Sequence, residues 1–150
     1  MKSSPVIVVD ANLAIHTVVA TSFSEVVNRI WSRLEELQAR VFAPMLWRYE
    51  VSSVLHRYQY DGVLTSEEAL AALETALALS VEHIEEDAQL CAAAFDWATR
   101  LARKAAYDGF YLAVAERLGG ELWTADRRLV NAVRQQDVSW VRHVDEIAEG

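Results

Sequence analysis

The chain has 150 residues, of which 53% are hydrophobic and 24% charged, a balance that excludes a disordered or fibrous sequence and suits a globular domain. A domain of this length buries roughly two-thirds of the surface its unfolded chain exposes, so it needs no disulfide staple. A net charge of -8 and a pI near 4.9 exclude a protein that grips nucleic acid through a broad basic surface. They do not exclude an enzyme that meets phosphate through bound cations, and they suit a basic partner peptide.

Met1-Lys2-Ser3-Ser4-Pro5 leads directly into the apolar run Val6 to Val9, with no signal-type hydrophobic region or cleavage site. Val6-Ile7-Val8-Val9 is an unbroken β-branched run that stops at Asp10, the pattern of a strand buried on both faces of a parallel sheet. From about Ser24 to Arg40, Val26, Val27, Ile30, Leu34 and Leu37 recur at helical spacing and predict an amphipathic helix. Val41-Phe42-Ala43 reads as a second strand, and Pro44 as the start of a helix that runs to about Tyr60, before the turn pair Asp61-Gly62.

Thr65-Ser66-Glu67-Glu68 has the capping-box pattern and opens the next helix, with Glu67, Glu68 and Glu74 on its solvated face. Its apolar part, Ala69 to Leu79, suits a dimer interface. Because Glu74 interrupts it, it falls short of the roughly 18 apolar residues of a membrane span, and the protein is expected to be soluble and cytoplasmic. Ser80 to Ile84 reads as a third strand.

Glu85-Glu86-Asp87 opens a helix that Arg100, Arg103 and Lys104 close, matching the helix dipole. Within it, Cys91, the only cysteine, is expected as a buried structural thiol, and Asp96 with Arg100 as a surface pair at i, i+4. Asp108 to Leu118 is helical and ends at Gly119-Gly120; Glu121 to Thr124 is a strand. A short helix from about Arg127, a strand near Ser139 to His143 and a final helical turn follow. Strands alternating with helices imply an α/β three-layer sandwich with a mainly parallel central sheet, and nothing divides residues 1–150 into more than one domain. Trp31, Trp47, Trp97, Trp123 and Trp140 read as core or interface residues.

Ligands in open α/β sheets bind beyond the carboxyl ends of the strands. Asp10 follows one strand and Asp126 stands two residues after another, although an aspartate between strand and helix also serves as an N-cap. Glu50 has Leu46 and Val54 at i-4 and i+4, and a carboxylate on an apolar helix face carries a desolvation cost that something must offset. Asp108, with Tyr111, Leu112 and Ala115 along its helix face, repeats the pattern, and an N-cap role is its alternative. Four converging carboxylates repel one another unless cations sit between them, and all-oxygen ligands suit magnesium or manganese. His16, His56, His83 and His143 show no zinc-ligand spacing.

Four blocks, Val6-Ile7-Val8-Val9-Asp10-Ala11-Asn12, Pro44-Met45-Leu46-Trp47-Arg48-Tyr49-Glu50-Val51, Tyr107-Asp108-Gly109-Phe110-Tyr111-Leu112-Ala113 and Thr124-Ala125-Asp126-Arg127-Arg128-Leu129, resemble the PIN domain in order and spacing. Within that family the chain looks most like the VapC toxins of bacterial VapBC toxin-antitoxin pairs. The resemblance spans essentially the whole chain. It implies a divalent-metal-dependent endoribonuclease with Asp10, Glu50, Asp108 and Asp126 as catalytic and metal-binding acids and Mg2+ or Mn2+ as cofactor.

The resemblance also matches Thr124 and Asn12 to polar positions that support the acids, and it implies an RNA substrate, a cognate antitoxin and a homodimer. Gly109 stands where many relatives carry alanine, an exchange expected to loosen that helix's first turn. Arg48, Arg127 and Arg128 adjoin acidic motifs and suit either an RNA backbone or the balancing of nearby carboxylates. Two alternatives keep the fold: an RNA-processing nuclease outside a toxin-antitoxin pair, and an inactive binding module. A nucleotide-binding or phosphoaspartyl domain is disfavoured by the absence of GxGxxG, a P-loop or a DxD after the first strand.

Overall fold

The computed structural model describes residues 3–149; Met1 and Lys2 of the amino-terminal reading, and Gly150, lie outside the described residues. Five strands, β1 (Val6–Val9), β2 (Arg40–Pro44), β3 (Glu82–Ile84), β4 (Glu121–Thr124) and β5 (Val141–His143), form one sheet in the order β3-β2-β1-β4-β5. Every pairing is parallel, so the sheet is wholly rather than mainly parallel. Helices α1 (Ala11–Val18), α2 (Ser24–Glu36), α3 (Leu46–Tyr60), α4 (Ser66–Leu77), α5 (Ala88–Arg100), α6 (Tyr107–Leu118), α7 (Arg127–Arg134) and α8 (Val144–Ala148) flank it.

Alternation along the strands builds two cores. Val8 and Leu122 face the larger one, with α1, α3, α4, α5, α6 and α7. Ile7, Val9 and Trp123 face the smaller one with Val27, Ile30 and Leu34 of α2 and Val144 and Ile147 of α8. Trp47, Trp97 and Trp123 are buried, and Trp31 and Trp140 pack partly buried against the cores. Among the described residues no helix is long and apolar enough to cross a membrane.

Several local expectations give way to tertiary structure. Helix α1 has no counterpart in the sequence reading; Asp10 caps it, accepting from Leu13 N–H at 3.3 Å. Helix α2 stops at Glu36 rather than Arg40, because Gln38 turns left-handed at φ 51° and frees Arg40 to open β2 beside Val6. Pro44 ends β2 instead of starting α3. Similarly, α5 ends at Arg100: Ala102 adopts φ 53°, and Arg103 N–H returns to the Ala98 carbonyl at 2.9 Å, a Schellman closure that leaves Arg103 and Lys104 outside the helix.

Cys91 is exposed, because the faces of α5 that carry Leu90, Ala94 and Trp97 turn inward and its own does not. Arg100 lies 4.0 Å over the Trp97 ring and makes no ion pair with Asp96, since the indole face offers a partner that the solvated carboxylate does not better. The capping box at Thr65 and Glu68 forms as the sequence predicts.

The arrangement decides where a site can lie. From β1 the chain moves outward to β2 and β3, then returns to β4 on the other side of β1. The strand order therefore reverses between β1 and β4, and a crevice opens beyond their carboxyl ends.

Candidate active site

That crevice holds a pocket of about 80 Å3 lined by Asp10, Asn12, Glu50, Asp108 and Asp126, with Val54, Leu122 and Leu129 among its apolar walls. Asp10 comes from the end of β1, Asp126 from the loop after β4, Glu50 from the second turn of α3 and Asp108 from the first turn of α6. Asp10 and Asp126 are also N-caps, so the capping and pocket positions coincide. Asp126 Oδ1 accepts from Arg128 N–H at 3.0 Å and Leu129 N–H at 3.2 Å. Asp108 is not a cap: Ala106 holds that position, and the Asp108 side chain makes no hydrogen bond among the described residues.

Asp10 is the most tightly held of the four. Its Oδ1 accepts from Leu13 N–H, and its Oδ2 accepts from the fully buried Thr124 hydroxyl. The Thr124 oxygen in turn accepts from Asp126 N–H at 2.9 Å. The Trp47 indole donates to the Asp10 carbonyl at 3.2 Å, fixing the backbone from the α3 side. On Glu50, Oε1 accepts from the Tyr111 hydroxyl at 2.6 Å.

The acids sense burial and one another. Desolvation pushes the Asp10 carboxyl up to about 7, against the lowering effect of its bonds to Thr124 and Leu13, and the charges of Asp126 and Glu50 add to the rise. Glu50 is raised by desolvation and by Asp108, with the Tyr111 bond opposing. Asp108 is raised by desolvation and by Asp126, while Arg103 pulls it down. Burial and Glu50 together hold the Tyr111 phenol far above its usual range, so it stays a donor.

The other sequence candidates lie around this pocket in different states. Asn12 is exposed at its mouth. Arg48 is exposed on the first turn of α3, close enough to His83 to lower that imidazole's pKa, after burial. Arg127 donates to Asp145 Oδ2 and to His143 Nδ1, each at 3.0 Å, and is thereby tied to α8. Arg128 is exposed and makes no ion pair among the described residues.

Two residues escaped the sequence reading as site residues. Tyr111 sits one turn after Asp108 on the same helix face, and an i, i+3 search for polar atoms would have found it. His143, almost fully buried, donates from Nε2 to the Ala125 carbonyl at 3.1 Å and accepts Asp145 N–H at Nδ1, bracing the loop before Asp126. No local signal marks it.

All four pocket acids are oxygen donors with no nitrogen or sulfur among them, the chemistry of a magnesium or manganese site. The raised pKa values of Asp10, Glu50 and Asp108 come first from burial and then from neighbouring acids, and a bound cation would offset both. Among the described residues no three Asp, Glu, His or Cys side chains stand together at ligand spacing, so the acids share a pocket without being drawn into a tight cluster.

The PIN domain family's sequence profile matches residues 7–134. No curated protein sequence matches the chain significantly. Among solved structures, VapBC2 from Rickettsia felis, bound to a DNA fragment from its promoter, is similar at a TM-score of 0.67 and 11% identity, over 92% of this chain and 98% of that one. VapBC-1 from nontypeable Haemophilus influenzae is similar at a TM-score of 0.64 and 18% identity, over 93% of this chain and 98% of that one. VapC20 of Mycobacterium tuberculosis, a sarcin-ricin loop cleaving toxin, is similar at a TM-score of 0.61 and 19% identity, over 79% of this chain and 87% of that one. At these identities the likeness is one of fold. With the profile match covering most of its length, the chain belongs to the PIN domain family.

Proposed function

We propose that the protein is a divalent-metal-dependent endoribonuclease and the toxin of a type II toxin-antitoxin pair. The observation that carries this reading is the convergence of Asp10, Glu50, Asp108 and Asp126, from four separate elements, on one pocket at the sheet's switch point. Hydrolysis adds one water across a phosphodiester, breaking one P–O bond. A divalent ion, when bound, supplies Lewis acidity to the phosphate and to the attacking water.

The chain's own residues do the holding and orienting. Asp108 has no hydrogen bond to give up and Asp126 has its Oδ2 unengaged, so these two have the freest ligand atoms. Asp10, fixed through Thr124 and Leu13, is the rigid reference against which they close. Glu50, clamped at Oε1 by Tyr111, keeps Oε2 without a hydrogen bond among the described residues and so free to ligate an ion or orient a water. Apolar Val54, Leu122 and Leu129 keep the surroundings dry, which strengthens every charge interaction inside.

The toxin half of the proposal draws on two of the similar structures, which are VapBC pairs. An acidic protein with an acidic pocket suits an antitoxin that places a basic side chain there. A homodimer is part of the same reading, with the exposed Leu70 and Leu77 of α4 as candidate contacts.

The test is cleavage of total RNA with magnesium or manganese and with a chelator, beside growth on induction of the wild type and of Asp10→Ala. Cleavage that needs metal and Asp10, together with toxicity relieved by co-expression of the neighbouring reading frame, supports the proposal. A wild type that cuts no RNA in either metal defeats it.

A further inference from the structure

The carboxylate pocket has an aromatic neighbour. A cleft of about 150 Å3 is lined by residues at the starts of α3 and α6: half-buried Met45, Leu46 and Phe110, with exposed Tyr49, Tyr107 and Glu86 beside them. Tyr49 and Tyr107 expose 68% and 60% of their surface, and each immediately precedes a pocket acid, Glu50 and Asp108. We propose that this cleft is a nucleobase subsite, in which Tyr49 and Tyr107 stack an unpaired base of single-stranded RNA while the adjoining phosphate reaches the carboxylate pocket. The inference rests on the nuclease reading above and adds the side chains that seat a base beside the acids.

Consecutive helical residues differ by about 100° in direction and 1.5 Å in height, so each tyrosine and its acid point to neighbouring sides of a single turn. Cleft and pocket therefore draw on neighbouring residues of the same two helix starts. The two halves of a nucleotide differ in the same way: one is planar and uncharged, the other anionic.

Charge assigns each half its place. The cleft lining contains no cation, and its one ionised group, Glu86, repels phosphate while accepting from the exocyclic amino groups of bases. Cations stand outside it, with Arg48 exposed on the turn that carries Tyr49 and Arg103 near enough to Asp108 to pull its carboxyl down. Backbone phosphate is thus drawn past the cleft and the base is left to fill it. Stacking on aromatic rings is also the contact that unpaired bases offer and paired ones do not.

The experiment uses the full chain and a short single-stranded RNA carrying 2-aminopurine, with calcium replacing magnesium for binding and magnesium restored for cleavage. Binding to the wild type quenches the probe's fluorescence, and a duplex of the same sequence gives no quench. Tyr49→Ala and Tyr107→Ala each weaken binding and raise KM by about 5- to 150-fold, the span of stacking one base on an aromatic side chain. The phenylalanine variants restore the quench.

If the wild type cuts RNA and neither alanine variant changes quench or KM, the subsite is overturned while the nuclease reading stands. If the wild type neither binds nor cuts RNA, the nuclease reading fails and the subsite with it. If either alanine variant turns a dimer into a monomer in sedimentation, the cleft is a contact between two copies and the subsite is overturned.

Discussion

The buried Thr124 hydroxyl donates to Asp10 Oδ2 across 114 residues of chain and accepts the Asp126 N–H, so one oxygen atom joins two of the four pocket acids. It does so where β1 and β4 lie side by side, with Val9 opposite Trp123.

Replacing it tests that junction. Thr124→Val keeps the shape but leaves Asp10 Oδ2 and the Asp126 N–H without a partner. A loss of about 1–3 kcal/mol in urea unfolding is expected, with a further rise in the Asp10 pKa and slower RNA cleavage. Thr124→Ser should recover most of both. A valine variant as stable and active as wild type would show that the bond is incidental.

The raised acids give metal-free protein a distinctive pH dependence. The Asp10 carboxyl lies at about 7 in the folded state against the ordinary 3.8 of an aspartate, so between these values the folded state holds a proton that the unfolded chain has released. Stability therefore falls as pH rises through that window, and Glu50 and Asp108, also raised, act in the same direction. Urea midpoints measured in chelator at about pH 5 and about pH 7.5 should be higher at the lower pH. Asp10→Asn should flatten the difference.

Asp108 has no hydrogen bond to lose, and burial and the Asp126 charge disfavour its ionised form more than Arg103 favours it. Asp108→Asn should leave the metal-free protein as stable or slightly more so, while abolishing metal-induced stabilisation and RNA cleavage. In the wild type, metal at about a hundred times its dissociation constant should add roughly 2–3 kcal/mol. A melting scan in which the wild type ignores magnesium and manganese would make the carboxylate structural.

Gly109 contradicts the expectation that glycine here loosens α6. A Cβ built on it would stand 2.2 Å from the Ala94 carbonyl oxygen of α5, so glycine is what lets the two helices approach. Gly109→Ala, although alanine is the better helix former, should destabilise by about 1–3 kcal/mol, because the rigid α5 backbone must move. Thermal unfolding checks the sign: a higher melting temperature would refute the close approach.

Local patterns carried much of the architecture. β-branched runs ending at Asp10 and spaced apolar residues in α2, α3 and α6 mark elements whose periodicity is written in consecutive letters. Helix α1 escaped because it opens directly from β1, with Asp10 as its cap and no turn residue between. The ends of α2 and α5 escaped because Gln38 and Ala102 take left-handed backbone without being glycine.

Sequence singled out the four acids, Asp10 and Asp126 by their places after strands and Glu50 and Asp108 by their apolar helix neighbours, and the resemblance to the PIN domain joined them into one set. That they line one pocket, that Tyr111 clamps Glu50, that His143 braces the loop before Asp126 and that Cys91 faces outward were decided only by tertiary structure. The physical reason is distance along the chain. Periodicity and capping act within a few residues, whereas the bonds that assemble the pocket join side chains 61 and 114 positions apart, and only the packing of helices on the sheet brings those together.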